Sequence, residues 1–161
     1  MIFACRKLYP IFLLGVVLFV LQSCGTVRKM DIPIISSLGQ SEEQKIISVL
    51  DSLEKAVEEK KVKTAMRYIS TEYRDEQGRD YNQLREILEK LVREYRFIKI
   101  TRTTPEVSVE GNKAVVIDTF GTNAEPFDPV QGTPINLQGK VTINMKKEPE
   151  GWKIVSWGGM L

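Results

Sequence analysis

Asp118 is the acid best placed for chemistry in this sequence. It stands inside the apolar run Val115-Val116-Ile117-Asp118-Thr119-Phe120. Strand alternation puts Val116, Asp118 and Phe120 on one face. A carboxyl that faces an apolar pocket is harder to ionise and can act as acid or base. The more ordinary alternative is an outer face, with Asp118 in water or paired to a Lys or Arg across the sheet. Tyr68, Tyr73, Tyr81 and Tyr95 offer phenol donors, although tyrosines at helix ends commonly serve as amphipathic packing. The chain contains no histidine. That excludes Ser-His-Asp and Cys-His nucleophilic sites in their usual forms, histidine zinc sites and a histidine base. Any catalysis must rest on Asp, Glu, Tyr, Lys or Arg.

Other motifs carry less. Asp75, Gln77, Gly78 and Asp80 are spaced wrongly for a calcium loop, in which glycine is the sixth residue. Asp80 reads better as a helix cap, so neither metal nor cofactor is expected. Trp152 and Trp157 read first as core and rim packing. The proline-rich stretch from Glu125 to Pro134 holds Phe127, an exposed aromatic suited to partner contact. If the domain binds a ligand, the expected lining is Tyr68, Tyr95, Val116, Asp118, Phe120 and Trp152.

The elements that would position these residues follow from periodicity. Ser41-Glu42-Glu43-Gln44 is a capping box, and Ile46, Leu50, Leu53 and Val57 recur at helical spacing, predicting a helix from Ser41 to Lys60. Lys63 to Ile69 reads as a short second helix. Ser70 to Arg79 breaks the pattern around Gly78. Asp80 opens a third helix, with Gln83 at the reciprocal position and Leu84, Ile87, Leu88, Leu91 and Tyr95 as its apolar face.

From Phe97 the period becomes two. Phe97 to Thr101 suits a strand. Val107 and Val109, the turn Glu110 to Lys113 and the run Ala114 to Phe120 form a hairpin. Asn123 to Asn136, with three prolines, reads as a loop or irregular edge. Leu137 to Lys147 alternates, with Val141, Ile143 and Met145 on one face. After Pro149-Glu150-Gly151, Trp152, Ile154 and Ser156 point one way, and Lys153, Val155 and Trp157 the other. Three helices precede four to five antiparallel strands, which is an α+β domain with helices on one sheet face.

This order resembles the nuclear-transport-factor-2-like superfamily, with its ketosteroid isomerase relatives and cystatin-like α+β topology. The resemblance spans roughly residues 43–157. It is carried by the first helix, by Tyr68-Ile69-Ser70, and by Glu72-Tyr73-Arg74-Asp75-Glu76-Gln77-Gly78-Arg79-Asp80. Val107 to Val116 and Gly151-Trp152-Lys153-Ile154 complete it. It implies a sheet curved into a conical half-barrel around a pocket, plugged by the helices. Ketosteroid isomerase relatives use a tyrosine and an acid as an oxyanion hole, but those positions do not match residue by residue here and none is carried over. The superfamily holds enzymes, binders and interaction modules, so the fold leaves function open.

The N-terminus carries an address. Arg6 and Lys7 precede the apolar run Ile11 to Leu21, and a small residue, Ser23, precedes Cys24. These are the zones of a secretory signal, and the run is shorter than the roughly 20 residues of a membrane-spanning helix. Leu21-Gln22-Ser23-Cys24 resembles the bacterial lipobox, in which the cysteine thiolate takes up a diacylglycerol. The resemblance implies a signal peptide over residues 1–23, lipidation at Cys24, a tether over 24–40 and a domain over 41–161. Gly25 is not Asp, which leans the sorting towards an outer membrane in a diderm source, with the domain facing the periplasm. Cys5 would leave with the signal, so no disulfide would form within the mature chain.

Removing 23 of 161 residues leaves 138, enough for one domain. The charge of +2 comes from Arg6 and Lys7, so that remainder is neutral. Neutrality argues against a nucleic-acid partner and leaves membrane contact to the lipid. The expected function is non-catalytic binding of a small apolar ligand or an envelope protein. The alternatives are an isomerase or hydrolase that uses a pocket Asp and Tyr, and a structural homodimer. Cys24→Ala is expected to move the protein from membrane to soluble fractions. A variant that stays with membranes at unchanged mass would overturn the lipid anchor.

Overall fold

The computed structural model describes residues 39–159. The signal segment, Cys24 and nearly all of the tether lie outside the described residues. Among the described residues no helix is long and apolar enough to cross a membrane.

Helix α1 spans Glu42–Glu58 and starts where a cap makes it start. Gln44 N donates to Ser41 Oγ at 3.2 Å, and Ser41 N donates to Gln44 Oε1 at 3.1 Å, so two donors that the first turn would leave orphaned are satisfied. Its inward stripe of Ile46, Leu50, Leu53 and Val57 is buried. The second helix, α2, is only Val62–Ala65, continued by a 3-10 turn at Met66–Tyr68. Helix α3 spans Tyr81–Glu94, with Asp80 and Gln83 forming its capping box. Leu84 is buried and Leu88 and Leu91 pack against the core, but Ile87 is exposed. Tyr95 ends the helix and begins the first strand, so it leaves the helical face expected for it.

Five antiparallel strands follow: β1 Tyr95–Arg102, β2 Glu106–Glu110, β3 Lys113–Pro126, β4 Ile135–Glu148 and β5 Gly151–Gly158. The order is β1-β3-β4-β5, with β2 also on β3. The hairpin expected at Glu110 to Lys113 is present, and Gly111 takes the positive φ of 61° that its turn requires. The expected loop from Asn123 to Asn136 is shorter. Strand β3 runs on to Pro126, because Asn123 to Pro126 find ladder partners in β1 and Asn123 and Ala124 pair with β4 as well. Only residues 127–134 remain as connection.

One facing is reversed from expectation. The β4–β5 pairing shifts between Asn144 and Met145. Ile154 stays inward opposite Met145, but the extra residue turns Ser156 outward against Asn144 and brings Trp157 inward opposite Ile143.

The inner face of the sheet meets α1 over a core that includes Val116, Ile143, Met145, Trp152 and Ile154. Ile46, fully buried, is the α1 residue at the centre of this packing. An ion cluster fastens the start of α1. Glu42 accepts from Lys45 Nζ at 2.7 Å and from Trp152 Nε1 at 2.8 Å, and pairs with Lys147 at 2.9 Å. These bonds, led by that of Lys45, pull the Glu42 carboxyl down to about 2.

Ile46→Ala is expected to cost about 2–5 kcal/mol of unfolding free energy, as buried aliphatic truncations do. A depressed carboxyl pKa supports the fold above its ordinary value and stops doing so as pH falls through the folded value. Glu42→Gln should therefore lower the melting temperature at neutral pH, and the gap to wild type should close between pH 4.5 and about 2. A gap of constant size across that range would contradict this role.

Candidate functional site

The concave side of the sheet holds a cavity of about 320 Å³ beside the core. Leu50, Leu53 and Val57 of α1 form one wall, and Ile100, Val141 and Trp157 of the sheet face them. The lining is mostly apolar. Its polar groups are few: Glu54 from α1, Arg102 from β1, Asp118 and Thr122 from β3, and Gln77 and Arg79 from the loop before α3.

Alternation along β1 takes Ile98, Ile100 and Arg102 to the same inner face, and along β3 it takes Val116, Asp118 and Phe120 there. Arg102 is in register with Phe120, so its guanidinium reaches Asp118 on the diagonal. The two meet at 3.6 Å between Arg102 Nη1 and Asp118 Oδ2, longer than a hydrogen bond. Arg102 is bonded elsewhere. Its Nε donates to Glu54 Oε2 at 2.7 Å, and its Nη2 donates to Asp51 Oδ1. Asp51 and Glu54 are three residues apart on α1, which presents both carboxylates to one guanidinium.

Three carboxyls thus share one cation. Asp118 is 4% exposed, and its Oδ1 and Arg102 Nη1 are buried with no hydrogen-bond partner. Burial raises the Asp118 pKa; the Arg102 charge opposes this, and Glu54 and Asp51 add to the rise. For Arg102, burial works against the charge, but the Glu54 bond and the Asp118, Glu54 and Asp51 charges hold its pKa above the ordinary value. Such an acid can donate a hydrogen bond when neutral and accept one when ionised.

Of the residues expected around a ligand, Asp118 and Phe120 line the cavity. The other four sit elsewhere. Val116 is fully buried in the core, one inward step along β3. Trp152 is 3% exposed and bound to Glu42. Tyr68 packs against the core from the 3-10 turn, and Tyr95 donates its hydroxyl to Thr133 O at 3.0 Å. None of the described tyrosines lines the cavity. Tyr73 is buried beside Asp75, 3.5 Å from its Oδ2, and burial first, then the Asp75 charge, pushes its phenol up to about 12.

The segment with a calcium-like spacing is an internally bonded turn. The Asp75 carboxylate accepts from Gln77 N, Arg79 N and Arg79 Nε at 3.0, 2.9 and 2.6 Å. That turn holds Gln77 and Arg79 at the cavity, and Glu76 fastens it to the end of β5 by accepting from Gly159 N at 2.9 Å.

Sequence reasoning missed Arg102, its two α1 partners and Trp157. A signal for the first was present: Ile98-x-Ile100-x-Arg102 puts a cation on an apolar row. The bulge that turns Trp157 inward leaves no mark in the local sequence.

A carboxyl with a raised folded pKa favours the fold while protonated, and that contribution is lost as pH rises through the folded value. Wild-type stability should therefore carry a component that declines from pH 3.8 upward, and Asp118→Asn should remove it. Melting curves across pH test this; a variant whose pH profile runs parallel to wild type would contradict a raised Asp118.

No protein-family model matches the sequence, and no curated protein matches it. Solved structures do match in shape. An NTF2-like superfamily protein from Salmonella enterica serovar Typhimurium aligns with a TM-score of 0.62 at 18% identity, over 73% of this chain and 88% of that one. A Nostoc punctiforme protein with a cystatin-like fold aligns at 0.55 and 8% identity, over 71% and 86%. Bd1075 of Bdellovibrio bacteriovorus aligns at 0.61 and 17% identity, over 71% of this chain but only 39% of that chain. At these identities the likeness is one of fold. Three helices followed by a five-stranded antiparallel sheet, with a cavity on its concave face, make the described domain an α+β domain of the nuclear-transport-factor-2-like, cystatin-like fold.

Proposed function

We propose that this chain is a binding protein whose cavity holds one small, mostly apolar molecule with a single polar group. The carrying observation is the cavity itself: about 320 Å³, apolar walls, and one buried polar pair whose Oδ1 and Nη1 have no partner. Ligand sites are commonly concave and apolar with a few placed polar groups. The lipobox-like segment supports a second part of the reading. Lipid on Cys24 holds the domain at a membrane, facing the periplasm or the outer surface, where the ligand or an envelope protein would be met.

A catalytic reading is favoured by one specific observation. Asp118 combines burial, an unpartnered oxygen and a raised pKa, the traits of a proton-transfer group. An isomerase or hydrolase needs a second convergent group. Arg102 is the group at hand, in place of the expected tyrosine.

Native mass spectrometry of the full chain, extracted gently from its own envelope, tests the binding reading. The expected result is the protein plus a small bound mass, lost in Val141→Phe, which fills the cavity wall. A folded wild-type protein that carries nothing, and that gains nothing from an extract of the same membranes, would overturn it. Conversion of the bound molecule by wild type and not by Asp118→Asn would move the reading to an enzyme.

A further inference from the structure

The charge around the cavity is uneven in a way that bears on the ligand. This inference rests on the reading of the cavity as a ligand site. Asp118 faces Arg102 of β1, which it shares with Asp51 and Glu54 of α1, and Arg79 of the loop before α3 lines the same cavity. Arg79 is already matched by Asp75 at 2.6 Å. Arg102 is bonded to both Glu54 and Asp51. That leaves Asp118, whose side chain is 5% exposed, with a 3.6 Å contact as its nearest cation and an Oδ1 that bonds to nothing. Ionised, the Asp118–Glu54–Asp51 group carries three negative charges against one positive. An anionic ligand could reach only the unpartnered Nη1 of a guanidinium that two carboxylates already hold, with the Asp118 carboxylate 3.6 Å from that same nitrogen. A cationic one would meet an unpaired oxygen in a low-dielectric site, where a charge-assisted bond is strong.

We propose that the cavity selects a monocationic amine with an apolar body, its ammonium donating to Asp118 Oδ1. No covalent step is involved. A neutral Asp118 would release its proton to solvent as the ammonium binds, so binding would be coupled to proton release.

Three probes of one shape test the proposal: 2-phenylethylamine as its cation, 2-phenylethanol and phenylacetate. Each is titrated calorimetrically into the full chain in zwitterionic nanodiscs. The amine is expected to bind at least tenfold tighter than the alcohol, and phenylacetate more weakly than either. Repeating the amine titration in two buffers of different ionisation enthalpy should show proton release. Asp118→Asn should bring the amine within about twofold of the alcohol. Asp51→Asn, at an exposed position, leaves Arg102 freer to neutralise Asp118 and should reduce the preference for the amine even if the first variant fails to fold. Alcohol or phenylacetate binding as tightly as the amine would overturn the cation preference and leave the cavity reading standing. So would a preference unchanged in every folded variant. Binding of none of the three would overturn both.

Discussion

Strand β3 is bonded along both edges, and the rest of the domain is arranged around that constraint. Its 14 residues pair with β4 over most of their length, while β2 and then β1 share the opposite edge. A strand with no free edge cannot slip, since a one-residue shift would send every inward side chain out. The inner row therefore has a fixed sequence: Ala114 and Val116 in the dry core, then Asp118, Phe120 and Thr122 along the cavity. Core and cavity are consecutive stretches of one row, with Asp118 at the crossing.

The second organising contact is the guanidinium of Arg102, which reaches from the sheet to α1. A buried arginine is tolerable only if its charge is answered, and two helix carboxylates answer it. The arrangement leaves Asp118 under-served. Polar groups elsewhere in the domain are satisfied more fully, as the four bonds to the Asp75 carboxyl illustrate. A shortage of partners confined to the cavity is where a binding interaction has most to add.

Local features were the most legible in the sequence. Ser41 with Gln44 and Asp80 with Gln83 marked the starts of α1 and α3, and the Glu110–Lys113 turn marked its hairpin, because capping and turn chemistry act over a few residues. Asp118 and Phe120 were found by alternation alone. What escaped depended on pairing across the fold. Asn123 to Pro126 look like loop residues until β1 and β4 are laid beside them. Trp152 and Val116 share the inner face with the site but sit deeper, and alternation gives a facing without a depth. Arg102 needed Asp51 and Glu54, about 50 residues earlier, before its position made sense.

The shift between Asn144 and Met145 has a wider consequence. Because one surplus residue in the pairing decides whether Trp157 or Ser156 faces inward, the size of the chamber is governed by register and not by composition. Were the bulge ironed out at unchanged chain length, the pairing beyond Ile154 would move by one residue and put the Ser156 hydroxyl in the wall in place of the indole. Chains sharing this sheet can thus become roomy or narrow in one step of evolution, which is one physical route by which a common scaffold acquires different occupants.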